Sequence, residues 1–372
     1  MGIETVLTKR LKIEHPVIQA PLAGGGDTPD LVAAVGNAGA MGFIGAAYST
    51  PAQIIELGRA VRQKTMRPFG INLFAPLPQP DPIANPQAAV QRVTAFFAEL
   101  GLPAPSAPAP IANSFSEQLS AALETDATAF SFTFGILPLE AIEAIKRRRL
   151  FLMGTATSVE EAIALEKAGV DAVVAQGSEA GGHRGTFIGD FSAAMVGTIS
   201  LVPQIVDAVK IPVIASGGIM DGRGIAAALA LGASAIQLGT AFLTCSEAGV
   251  PNAYKEAILH ARENQTRVTR AFSGRPARGI VNRFMTEVEA NGGPDSIPQF
   301  PLQNALTRPL RTAAAKQDRA EFLSLWAGQG VRLAHRQSAA DLVARLARET
   351  STALDHLQSV QPKTNWPAGA AE

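Results

Sequence analysis

One cysteine among 372 residues, Cys245, excludes an intrachain disulfide and a cysteine-cluster metal site. The five histidines are as sparse, and none recurs at the HxxH or HxxxH spacing that puts two imidazoles on one helix face, so no metal is expected. Charge is low, at 17%, and balanced, with 32 Lys plus Arg against 32 Asp plus Glu. That leaves no net field to concentrate a polyanion, and nucleic acid is not an expected partner. No long hydrophobic run opens the chain: Glu4, Lys9, Arg10 and Lys12 interrupt it, and Val6 stands where a myristoylation signal needs Ser or Thr. A cytoplasmic chain without a membrane partner is the expectation. What the sequence does have is apolar residues, 47% of the total, at a length that suits one α/β barrel carrying an appendage.

Short apolar segments alternate with amphipathic ones, the rhythm of parallel βαβ units. Strands are predicted near 16–22, 42–46, 69–75, 127–134, 149–155, 171–176, 212–216 and 235–239. Helix starts stand between them at Thr28-Pro29, Ser158 and Asp221, and several of the following stripes close on Ala-Gly or Leu-Gly, a glycine able to turn left-handed. Eight such units form a (β/α)8 TIM barrel with its chemistry at the strand C-termini. The barrel is assigned to 1–253.

Two stretches break the rhythm. Nine prolines between Pro76 and Pro110 mark an insertion after the third strand, about 76–118, with extended pieces flanking one helix near 87–100. Beyond Tyr254 the strand pattern stops, and a helical lid or substrate-side subdomain is expected over 254–317. Helices at 318–328 and 338–350, within a 318–360 segment, are expected to pack back on the barrel, with the last dozen residues frayed.

Polar residues and glycines gather where the strands end. Gln19, Ala20 and Pro21 follow the first strand and Asn72 sits in the third, while Gln176 precedes GSEAGGHRG after the sixth. Ser216, Gly217 and Gly218 follow the seventh strand, and Gln237, Leu238, Gly239 and Thr240 the eighth, where barrels of this kind cradle phosphate on backbone N–H groups. GSEAGGHRG is the sharpest feature: its glycines let backbone approach a flat ligand and hold His183, an imidazole able to remove a proton or to carry charge near neutral pH. His15, His260, His335 and His356 lie in terminal or helical settings and read as structural, as does Cys245 among small and apolar neighbours. No GxGxxG opens a helix after the first strand, which disfavours a Rossmann dinucleotide site.

The segments QAPLAGG, GINLF, AQGSEAGGHRG, ASGGIMDGRG and QLGTAFL, with SGRPARGIVNRF and LWAGQG, closely resemble the nitronate monooxygenases, formerly 2-nitropropane dioxygenases. The resemblance covers most of the chain and implies non-covalent FMN at the barrel mouth. Carried over by motif, Gln19, Ala20, Pro21, Asn72, Gln176, Gly181, Gly182, Ser216, Gly217, Gly218 and Gln237 to Thr240 would hold the flavin, and His183 would face the substrate. The implied reaction takes a small-molecule nitronate and O2 to a carbonyl compound and nitrite through a flavin semiquinone. His183 would bind the nitronate if protonated, or deprotonate a nitroalkane if neutral.

This chain departs from the pattern at Leu22, where methionine is more familiar. It also has only Tyr48 and Tyr254 where relatives acting on propionate 3-nitronate line the pocket with several tyrosines. Tyr254 and Phe300 are the substrate-side candidates, with Arg275, Arg308 or Arg311 able to meet a carboxylate. An FMN-dependent NAD(P)H:quinone reductase or flavin-type enoyl-acyl carrier protein reductase is the competing enzyme reading, and a flavin-binding barrel with a sensing or storage role a third. A monomer or homodimer suits all of these.

Overall fold

The computed structural model describes residues 3–78, 80–83, 85–108, 114–291 and 296–360. Six strands come first: β1 (Val17–Gln19), β2 (Gly42–Gly45), β3 (Phe69–Phe74), β4 (Ala129–Thr133), β5 (Phe151–Ala156) and β6 (Ala172–Gln176). A two-residue β7 (Gly182–His183) precedes β8 (Val213–Ser216) and β9 (Ala235–Leu238), and β10 (Thr266–Thr269) and β11 (Ala277–Ile280) follow. All but β7, β10 and β11 form one parallel sheet in the order β1-β9-β8-β6-β5-β4-β3-β2. Its two ends meet at a parallel bridge from Ile18 to Met41, where Gln19 N–H donates to Met41 O at 2.8 Å and Met41 N–H to Val17 O at 3.0 Å. The sheet is thus closed on itself, the (β/α)8 barrel that the eight apolar segments predicted.

Local chemistry sets the helices between the strands. Thr28 accepts from Leu31 N–H, Ser158 from Glu161 N–H, and Asp221 from the N–H groups of Arg223 and Gly224, so all three expected caps satisfy orphan donors. The barrel interior is apolar and tightly filled. Phe43 points inward with Ile18, Met41, Met153 and Val174, and a Cβ on Gly70 would lie 2.1 Å from the Phe43 ring. Cys245 is fully buried, and burial first, then Glu247, pushes its thiol up to about 12.

A second core lies outside the barrel. The insertion supplies the helix Pro86–Glu99, whose Val93, Phe96 and Phe97 pack with Tyr254, Phe272, Phe284, Leu306 and Leu310. The proline-rich segment and the chain beyond Tyr254 are therefore joined by apolar contact, although Phe97 and Phe272 are far apart in sequence. The chain beyond Tyr254 also holds strands that its pattern did not predict, because β10 and β11 are short and β11 takes its second edge from β7.

The helix expected at 318–328 does not form. A 3-10 turn covers Ala320–Phe322, and the chain then extends beside β11, with Ile280 N–H donating to Leu325 O at 2.8 Å and Trp326 bridging Gly279. That pairing uses backbone groups a helix would satisfy internally. The last helix, Ala339–Ser359, runs longer than its pattern indicated and packs on Gly222–Ala230 so closely that a Cβ on Gly222 would lie 2.2 Å from Thr350 N. The final dozen residues, read as frayed, lie outside the described residues, as do parts of the Pro-rich and Gly-rich stretches at 109–113 and 292–295.

Candidate active site

The strand C-termini open into a cavity of about 1060 Å³. Ala20 and Pro21 after β1, Asn72 in β3, Gln176 in β6, Gly181 and Gly182 beyond it, Ser216 to Gly218 at β8 and Gln237 to Thr240 at β9 all line it. Gln19 does not: fully buried, it accepts from Phe43 N–H at 3.1 Å and donates to Phe43 O at 3.2 Å, strapping β1 to β2. Ser216 sits beside Gln237 in register, so the loops after β8 and β9 are neighbours at one edge of the cavity. Gly217 and Gly218 there take φ of +123° and +70°, which other residues resist, and among the described residues their N–H groups have no partner.

The glycine pattern has a second cause beyond access for a flat ligand. A Cβ on Gly181 would lie 2.6 Å from the backbone of Ala327 and Gly328, one on Gly328 2.6 Å from Glu179 O, and one on Gly330 2.6 Å from Gly218 O. Three loops from distant parts of the chain therefore pack backbone against backbone. This explains why GSEAGGHRG and LWAGQG both need small residues. Gly182, with φ +75° and open space at its Cβ position, is the one that faces outward.

His183 lies in β7, and its Nε2 is 2.9 Å from Ser273 Oγ, whose hydroxyl is also 3.2 Å from Arg275 O. Among the described residues Nδ1 has no hydrogen bond. Phe134, Phe300 and Trp326 surround the ring at centroid distances of 5.9, 6.0 and 5.5 Å. Burial, then the charges of Arg275 and Arg311, lower its pKa to about 3, so the imidazole is neutral at physiological pH.

Buried ion-dipole contacts hold the loop that carries this imidazole. Arg184, 1% exposed, donates to Gly177 O at 2.6 Å, Gln176 O at 3.2 Å and Ala194 O at 3.1 Å. Glu161, fully buried, accepts from Thr157 N–H and Oγ1–H at 2.6 and 2.8 Å, from Ile188 N–H at 2.9 Å and from Phe187 N–H. Gln176 adds a bond to His183 O at 3.0 Å and takes one from Gly185 N–H at 2.8 Å.

The four substrate-side candidates divide. Tyr254 and Arg308 line the cavity, although Tyr254 Oη donates to Trp326 O at 2.8 Å and burial raises its phenol pKa. Phe300 lies next to His183 but on an adjoining groove. Arg275 is turned away from the cavity: it donates to Arg184 O at 3.2 Å and Thr186 O at 2.6 Å and lies 3.9 Å above the Phe134 ring. Its contacts support Phe134, whose φ of +80° is unusual for an aromatic residue. Burial makes those carbonyls a better partner for Arg275 than a distant solute, lowering its pKa to about 10.

Arg311, read from the sequence as able to meet a carboxylate, lines the cavity, whereas the lining residues Asn304 and Asp27 escaped the pattern. Asn304, Arg308 and Arg311 share a helix face at i, i+4, i+7 spacing, the signal that was available for Asn304. Arg311 Nη2 donates to Asn304 Oδ1 at 2.7 Å and O at 3.1 Å, while its buried Nε has no partner and no carboxylate among the described residues pairs with it. Asp27 accepts from Leu22 and Gly45 N–H, both at 2.6 Å, pinning the glycine loop after β1; burial raises its pKa to about 7 against those two bonds. Ser273 opens the segment SGRPARGIVNRF, but its contact with His183 carried no sequence signal. Its replacement by Ala should lower kcat/KM about tenfold with the cofactor retained, because a freely rotating imidazole loses its orientation. A pH profile displaced toward neutrality, as Nε2 gains access to solvent, would separate this from general loosening.

Fold and cavity together describe a (β/α)8 barrel with a candidate active site at the strand C-termini. The nitronate monooxygenase family model matches residues 4–349, and the chain belongs to that family. It is 42% identical over 356 residues to a Staphylococcus saprophyticus protein described as "Probable nitronate monooxygenase", covering 94% of this chain and 99% of that one. Among solved structures, the nitroalkane oxidase from Streptomyces ansochromogenes is 40% identical with a TM-score of 0.87, covering 94% and 99%. FabK from Thermotoga maritima is 30% identical with a TM-score of 0.75, covering 96% and 99%. The chain is an oxidoreductase.

Membership implies a flavin cofactor. The cavity fits one: Gly217 and Gly218 are packed so closely on the segment after β6 that a Cβ would lie 2.8 Å from Thr198 Oγ1 or 3.1 Å from Glu179 Cβ, and among the described residues their unpartnered N–H groups suit a phosphate. Gln237, half-buried on the same wall, makes no side-chain hydrogen bond among the described residues and is available to a polar ring edge.

Proposed function

We propose that this protein catalyses the FMN-dependent oxidative denitrification of alkyl nitronates by dioxygen, giving a carbonyl compound and nitrite. The observation that carries the reading is the pairing of a neutral, half-buried imidazole with a half-buried guanidinium whose enclosed Nε has no partner and with which no carboxylate among the described residues pairs, both at one cavity. A nitronate is a resonance-stabilised anion with two adjacent oxygens. Arg311, held by Asn304, supplies the positive charge that attracts it, and the charge is stronger for being dry.

His183 then acts as a neutral group. Ser273 Oγ donates its one proton to Arg275 O and accepts Nε2–H, which leaves the Nδ1 lone pair to take the α-proton of a neutral nitroalkane. Phe134, Phe300 and Trp326 exclude water around that proton. Gly217, Gly218, Gly239 and Thr240 would hold the FMN phosphate, and Asn72, Gln176 and Gln237 the edges of its ring. When bound, FMN supplies the redox chemistry with dioxygen.

Mixing the FMN-loaded protein with propyl-2-nitronate in air, without NADH, should consume oxygen and release nitrite. Absence of both would reject the reading. The reductase alternative is tested in parallel: rapid anaerobic bleaching by NADH or NADPH would favour it, and similarity to FabK is the reason to run that control.

A further inference from the structure

At the other end of the barrel from the reaction cavity, where the strands begin, lies a second cavity of about 500 Å³. Pro68 just before β3, with Leu150 and Phe151 at the start of β5, gives it apolar walls. Arg10, Lys12, Lys146 and Arg149 stand around it with a single carboxylate, Asp171. That carboxylate is already engaged: it accepts from Leu152 N–H at 2.9 Å and lies 3.5 Å from Lys146 Nζ. Arg10 sits 5.6 Å from the centre of the Phe151 ring, and among the described residues no carboxylate pairs with Arg10, Lys12 or Arg149.

Helix dipoles account for part of this charge. The helices Val6–Leu11 and Leu139–Arg147 both end here, and each C-terminus takes up about half a positive charge. Four cations against one carboxylate leave three positive charges, of which about two then remain unanswered. Lys12 and Arg149 moreover stand past the helix ends at φ of +56° and +58°, backbone that glycine takes without strain. Cations held there at a conformational cost make no hydrogen bond or ion pair through their side chains among the described residues. We propose that this cavity binds a small organic polyanion, a molecule carrying two or more clustered phosphate or carboxylate groups. The cations hold the oxyanions, the apolar walls take the organic body, and the volume lies in the range of small-molecule sites. The site is separate from the flavin cradle, and the proposal does not depend on the denitrification reading.

The test is calorimetric titration of the FMN-saturated protein with ADP and, separately, with citrate, at about 0.1 M salt, where exposed charges more than about 10 Å apart are screened. One equivalent of at least one anion should bind per chain, and the tighter of the two tells whether phosphate or carboxylate groups are preferred. Lys12→Gly and Arg149→Gly suit the positive φ and so keep the backbone as it is. Each should raise Kd about tenfold, and the double variant about a hundredfold. Arg148→Ala removes a neighbouring exposed cation that does not line the cavity, and should leave Kd within about twofold. Flavin absorbance, recorded throughout, should stay constant. Binding of neither anion, a Kd unaltered in the double variant, or an equal weakening by Arg148→Ala, the mark of a diffuse basic surface, overturns the proposal. So does release of flavin during the titration, which would place the anion in the cradle at Gly217 and Gly218.

Discussion

Replacing His183 with Gln should lower kcat/KM for neutral nitroalkanes about 10²- to 10⁴-fold while the protein keeps its flavin, because the imidazole contributes proton transfer and not the cradle. A preformed nitronate, which needs no deprotonation, should lose far less. The comparison of nitrite release from the two substrate forms is the measurement. Equal losses on both would assign His183 to binding and sink the base role. The pH dependence follows from the lowered pKa of about 3. Activity on preformed nitronate should carry no histidine limb between pH 5.5 and 8, since the imidazole is already neutral throughout.

Stability has its own sign. In the unfolded chain His183 binds a proton near pH 6.5, whereas in the fold it does so only near 3. The unfolded state therefore holds more protons across that interval, and stability rises with pH from about 3 to 6.5 and is unaffected by this group above it. His183→Gln should remove up to one proton from the slope of unfolding free energy against pH in that window, measurable by urea titration at several pH values.

The second large effect should come from Glu161→Ala, which has no contact with the cavity. Four donors converge on that carboxylate, from Thr157 at the helix start and from Phe187 and Ile188 in the loop after β7. Removing it leaves buried N–H and O–H groups unpaired at about 1–3 kcal/mol each, so a total loss of about 4 kcal/mol is expected even after partial rearrangement. Urea unfolding should register it. A loss below about 1 kcal/mol would mean that water replaces the carboxylate without difficulty. Glu161→Gln should fall between, because one oxygen still accepts while the new NH₂ opposes N–H donors.

The barrel was legible because its signals are local. Each strand is a short apolar run, each expected cap is one residue that reaches the backbone two or three positions on, and the paired glycines after β8 announce their backbone angles. His183 stood out because it is the one imidazole on a glycine-rich loop. Signals of that kind fail where a segment takes its partner from elsewhere. Residues 318–328 have helical composition but pair with β11, and the strands β10 and β11 are too short for alternation to show. Gln19 looked like a ligand group because it ends a strand, yet its amide fits the backbone of the next strand.

By itself, then, the sequence determined the eight βα units, the position of the glycine loops and the one imidazole among them, since each depends on residues a few positions apart. Only the tertiary structure decided what that imidazole is. Ser273 reaches it across ninety positions of chain, and burial among Phe134, Phe300 and Trp326 makes it neutral. The same holds for Arg311, whose missing counter-ion is a property of everything packed around it, and for Gly181, whose smallness is required by the backbone of Ala327 and Gly328. Desolvation and close approach are sums over neighbours from many segments, and no single stretch of chain contains them.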